Sequence, residues 1–85
     1  MRLPVIKYLN TFIQKNDQDY VLEVIETLEY LTESSAIKDD ELDVIGELLS
    51  NMYGALEVNT AIKNGKREKE ALNEFMQRVT SSIDK

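Results

Sequence analysis

The chain contains no cysteine and no histidine. The first absence excludes disulfides and thiolate metal sites. The second removes the commonest metal ligand and the usual general base. Tryptophan is also missing, proline occurs once and glycine three times. With so few turn formers, no run reads as a strand of a hairpin. No apolar run approaches the roughly 20 residues that cross a bilayer. The opening MRLPVIKYLNTF has too short an apolar stretch for a secretory leader and no small-residue cleavage site, so the cytoplasm is the expected compartment.

What is abundant is acid. The 85 residues hold sixteen Asp and Glu against ten Lys and Arg, a net charge of −6. A chain this short makes one domain, residues 1–85, and hides only about 60–65% of its unfolded surface. A second subunit would add to its stability. The charge is uneven: residues 1–16 carry three bases and no acid, and residues 17–57 carry twelve acids and Lys38 alone. Residues 58–85 carry six bases and four acids. An acidic middle between basic ends invites self-complementarity. It also argues against nucleic acid, where a basic face supplies the affinity. Helices that lie on membranes carry basic polar faces, so no membrane partner is expected either.

The spacing of apolar residues predicts an all-α domain of four helices. The first runs from about residue 4 to 15, with Pro4 in its first turn and Val5, Ile6, Leu9, Phe12 and Ile13 on one face. The second runs from about 20 to 31, capped by Asp17 or Asp19, with Tyr20, Val21, Val24, Ile25, Leu28 and Leu31 as its buried stripe. A long central helix spans about 40–63 and stops at Gly65. The fourth, about 67–82, carries Ala71, Leu72, Phe75, Met76, Val79 and Ile83 on one stripe.

The third helix stands apart. At about 100° per residue, Ile45, Leu49, Met52, Tyr53 and Leu56 form one apolar arc and Val44, Leu48, Ala55, Val58 and Ile62 a second. Together they exceed the stripe of about 100° that an edge helix needs. The first two helices reach only about 18 Å each against roughly 36 Å for the third. The mismatch predicts a homodimer through the third helix at Leu48, Met52, Ala55 and Val58. Gly46, Ser50 and Gly54 fall four residues apart in the gap between the arcs. Each glycine costs a helix interior about 1 kcal/mol relative to alanine. Three small residues there predict a groove for close packing by a bulky side chain such as Phe12 or Phe75.

Chemistry finds little purchase. Di-iron bundles need inward Glu and Glu-x-x-His pairs, and histidine is absent. The segment DDELDVIGELLS spaces its acids like a calcium loop but lacks the glycine at loop position six and the closing glutamate. Ser34 and Ser35 have only carboxylates nearby and read as turn residues. NGKREK, residues 64–69, gathers cations where a helix begins but lacks the spaced glycines of a phosphate loop. On the second helix, Leu22 and Tyr30 project among carboxylates. With Glu26 and Glu33 they form the expected surface for a protein partner.

From MRLPVIKYL through ELDVIGELLSNMYGALEV to EALNEFMQRV, the whole chain resembles a small family of uncharacterised acidic, all-helical bacterial proteins. The resemblance implies a bacterial cytoplasmic origin. It implies no activity and no functional residue, because no catalytic motif carries it. The expected function is therefore non-enzymatic: a small acidic interaction or regulatory module, homodimeric and able to bind another protein. The alternative is a small-ligand binding protein with a pocket beside Tyr53. No catalytic residue, cofactor or metal is expected.

Overall fold

The computed structural model describes residues 2–83, with side chains through residue 80. Its four helices are α1 (Leu3–Lys15), α2 (Gln18–Leu31), α3 (Asp39–Lys63) and α4 (Glu68–Ile83). The side chain of Ile83, expected on the α4 stripe, lies outside the described residues.

Local chemistry sets the boundaries. Pro4 sits in the first turn of α1, where its missing N–H leaves nothing unpaired. The carboxylate of Asp17 caps α2 by accepting from the Asp19 N–H at 3.0 Å. With that cap, α2 starts two residues earlier than its apolar pattern predicts, and α1 and α2 form a tight hairpin. At the start of α3 the Glu41 carboxylate reaches back to the Lys38 N–H at 2.9 Å, half of a capping box. At its end Gly65 takes a φ of 105°. The Lys66 N–H then reaches the Ala61 carbonyl at 3.1 Å and the Gly65 N–H that of Ile62 at 3.0 Å, a Schellman ending.

Helix α3 touches all three other helices, and among the described residues α2 and α4 do not meet. The core consists of Ile6 and Ile13 from α1, Val21 and Ile25 from α2, Ala55 and Val58 from α3, and Ala71, Leu72 and Phe75 from α4. Every buried residue of α3 lies between Asn51 and Asn59. Only its C-terminal half is surrounded; Asp39–Ser50 has no buried residue.

Two of the expected stripes are wider than the faces that pack. On α2, Tyr20, Val24 and Leu31 are exposed, and only Val21 and Ile25 are fully buried. On α1, Phe12 is exposed. The reason is that the hairpin lies across α3 as a second layer, so each of its helices is covered from one side. The molecule measures 42 × 35 × 17 Å, a slab about two helices thick.

Three buried asparagines pin the layers. Asn10 in α1 donates to the Ala55 carbonyl at 3.0 Å, and its own carbonyl accepts from the Gln14 amide at 3.2 Å. Asn51 accepts from the Arg2 backbone N–H at 2.9 Å and donates to the Glu47 carbonyl at 2.8 Å. Asn59 donates to the Gln18 side chain at 3.4 Å. The three anchor points on α3 are four residues apart, one above another on a single face. Arg2 and Asn10 stand eight residues apart yet meet residues of α3 only four apart, so α1 runs obliquely across it.

The small residues of α3 have separate surroundings. A methyl group placed on Gly54 would lie 2.9 Å from Phe75 Cζ and 3.0 Å from Ile6 Cδ1, whereas one on Gly46 meets nothing within 4 Å. Ser50 is half-buried. The groove is thus filled at Gly54 by the α4 ring and open at Gly46.

Urea unfolding should separate the two glycines. Gly46→Ala should gain about 0.5–1 kcal/mol. Gly54→Ala should lose about 1–2 kcal/mol, the overpacking cost exceeding the propensity gain. Equal gains would show that Phe75 and Ile6 give way freely. Asn10→Ala should cost about 2 kcal/mol by emptying a buried site and removing its hydrogen bond.

Candidate functional site

On α3, residues 44, 48, 51, 55, 58 and 62 follow alternating steps of four and three, an apolar-seam pattern. From Asn51 to Val58 that seam is buried under the other helices. Its continuation is uncovered: Val44 is 60% and Leu48 42% exposed. The cause is the Arg2–Asn51 hydrogen bond, which fixes the start of α1 beside Asn51. On the helical wheel Asp40, Glu41 and Glu47 flank Val44 and Leu48. The first turn of α3 adds Asp39, and Lys38 is the one base in residues 17–57. An apolar strip therefore lies in a carboxylate border at the acidic end of the long helix.

The four residues expected at a dimer seam divide. Ala55 and Val58 are buried inside a single chain, Met52 is half-buried and Leu48 is exposed. Ala55 and Val58 are withdrawn from any seam, because α1, α2 and α4 already occupy the arc they share. Leu48 keeps an open side, with Val44 as its neighbour one turn away. A two-fold pairing of this strip on itself would set carboxylates against carboxylates.

The residues expected to face a protein partner all lie at the surface. Leu22, Glu26 and Tyr30 form one row on α2, and Glu33 follows in the turn after the helix. Tyr30 is 78% exposed. The row occupies the side of α2 away from its buried residues Val21 and Ile25.

The cleft beside Tyr53 is open, about 270 Å³, and lined by Tyr53, Gly54, Glu57, Phe75, Arg78 and Val79. Its polar groups already have partners. The Tyr53 hydroxyl donates to Glu29 and Arg78 pairs with Glu57. The Glu29 hydrogen bond, followed by desolvation and the Glu29 charge, raises the Tyr53 pKa above its ordinary 10.0. That direction holds the phenol protonated as a donor that ties α2 to α3 and away from proton abstraction. In the cationic segment, Lys66 pairs with Glu74. Ser34 Oγ accepts from the Ala36 N–H at 3.1 Å, a turn contact. Among the described residues no group of three acidic side chains is placed to hold a metal ion. No described helix is long and apolar enough to cross a membrane.

Sequence reasoning passed over Asn51 and Asn59 and set Asn10 on the polar face of α1, although each borders an apolar stripe, which is the signal of a buried amide; Asn10 is wholly buried. It also left Val44 out of the candidate residues, because helical spacing alone does not tell a covered stripe from an uncovered one.

The Tyr53–Glu29 bond has a signed pH dependence. A folded-state pKa above the unfolded value means that the stabilisation is fully present below about pH 10 and is lost as pH rises through the folded pKa. In Glu29→Gln, near-ultraviolet titration should show the Tyr53 phenolate appearing at lower pH than in the native chain. An unchanged titration would sever Tyr53 from Glu29 in solution.

No curated protein and no solved structure matches the chain. A family model matches residues 1–84, nearly the whole of it. The chain belongs to a family of unknown function, DUF6952.

Proposed function

We propose that the protein is a non-enzymatic interaction module of the bacterial cytoplasm, and that its acidic end receives a basic amphipathic helix of another protein. One observation carries the reading: the seam of α3 runs out from under its cover at Val44 and Leu48, between carboxylates. Exposed apolar groups in a charged border suit a helix-in-groove contact. The incoming helix would contribute apolar anchors to the strip and Lys or Arg to the border. The border discriminates against acidic and neutral helices, because a like charge facing it, or an unpaired one, is penalised. The acidic row of Leu22, Glu26, Tyr30 and Glu33 offers the same chemistry on α2.

Capture from the native cell tests the reading. The native chain should retain a basic partner whose binding weakens with added salt. Val44→Ser with Leu48→Ser should weaken that binding about tenfold or more by removing the anchors. Glu26→Lys with Glu33→Lys tells whether the α2 row belongs to the same surface. Undiminished capture by the first pair would reject the α3 strip; undiminished capture by the second would remove the row.

A further inference from the structure

The hairpin of α1 and α2 leaves a second apolar face uncovered, and it is aromatic. Tyr8 is 80% exposed, Tyr20 57%, and Phe12 and Val24 42% each. Tyr8 and Phe12 are one turn apart on α1, as Tyr20 and Val24 are on α2. The two pairs join where Phe12 and Tyr20 meet edge to face, ring centroids 6.0 Å apart. Val5, Leu9 and Leu28, all half-buried, continue the patch toward the core.

Its two sides differ in charge. Within α1 the only charged residues are Lys7 and Lys15. Within α2 they are Asp19, Glu23, Glu26 and Glu29, with no base. Among the described residues, ion pairs join Lys66 to Glu74 and Arg78 to Glu57, and none joins the lysines of α1 to the carboxylates of α2. The hairpin thus presents an aromatic strip with a basic edge and an acidic edge, neither satisfied by the other.

We infer that a second copy of the chain docks on this face, about a two-fold axis that sets α1 of each copy against α2 of the other. Such an axis brings the basic edge of one copy onto the acidic edge of the other twice, and it buries both aromatic strips. Any parallel arrangement of like edges would oppose lysines to lysines. The net charge of −6 resists association in general, so the edges decide which face pairs.

The exposed area agrees. A compact monomer of 9.8 kDa exposes about 5,200 Å². This chain exposes 6154 Å², about 1,000 Å² more. That excess belongs to the whole molecule, the open half of α3 included, and is on the scale of the roughly 800 Å² that each partner of an ordinary dimer covers. The radius of gyration, 13.8 Å, likewise exceeds the roughly 12 Å of a compact chain this long. A second slab laid on the hairpin side would turn a sheet 17 Å thick into a four-layer body.

Light scattering of the full chain at tens of micromolar should give twice 9.8 kDa, falling to the monomer on dilution. Two variants then reverse one edge each: Lys7→Glu with Lys15→Glu, and Asp19→Lys with Glu23→Lys. All four positions are exposed, and circular dichroism checks that each variant keeps its helices. Each alone should be monomeric, since positions 7, 15, 19 and 23 then carry one sign. An equimolar mixture should recover the dimer, because the edge acids of one variant then face the edge lysines of the other. Val44→Ser with Leu48→Ser should leave the mass unchanged, which separates this face from the acidic end of α3. A native monomer at every concentration, variants that dimerise alone, or loss of the dimer in the Val44 and Leu48 pair would each overturn the inference.

Discussion

The Asn10 amide bonded to the Ala55 carbonyl is the contact on which the rest of the molecule depends. Both residues are wholly buried. A buried amide that lost its partner would cost about 1–3 kcal/mol, so α1 cannot slide along α3 without finding another acceptor. Apolar packing alone would tolerate such a slip by a turn, since isoleucine and valine pack in many registers. Asn51 and Asn59 repeat the constraint one turn to either side, against Arg2 and Gln18. A few buried polar groups thereby specify register, as a single buried asparagine does in a coiled coil.

From that register follows the shape. Because α1 begins opposite Asn51, no residue of α3 before it is fully buried. Because α1 and α2 are joined by two residues and each packs on α3 from one side, their far sides face outward. The close approach of Phe75 to Gly54 holds α4 in the other layer. A slab of two layers exposes apolar groups that a rounder bundle would enclose. Those groups fall into two sets of different character. One is a short aliphatic strip within carboxylates at the start of α3. The other is an aromatic strip on the hairpin whose borders have opposite signs.

Much of the local architecture was legible in the sequence. Gly65 after Lys63 marks a helix end, and it is the residue with positive φ. The Asp39-Asp40-Glu41 cluster marks a helix start, and Glu41 closes back on Lys38. The overhang expected from unequal helix lengths is present in Asp39–Ser50. The burial of single residues was less legible. The periodicity that buries Val21 and Ile25 applies equally to Tyr20 and Val24, yet one pair is covered and the other open. Ala55 and Val58 share a stripe with Leu48, yet they are interior and it is not. A helical wheel reports direction around an axis and carries no information on how far along that axis a neighbour extends.

The sequence by itself determined the four helices, their order, the acidic middle and the lack of groups for most chemistry. Those properties are local: caps, glycines, apolar spacing and ionisable groups act within a few residues. The tertiary structure decided where α1 begins against α3, which of two equal glycines is packed, and which parts of each apolar stripe stay open. Those outcomes rest on hydrogen bonds between residues about 40–50 positions apart, such as Asn10 with Ala55 and Arg2 with Asn51. The donors and acceptors of such bonds are written in the chain, but their pairing exists only once two layers have met.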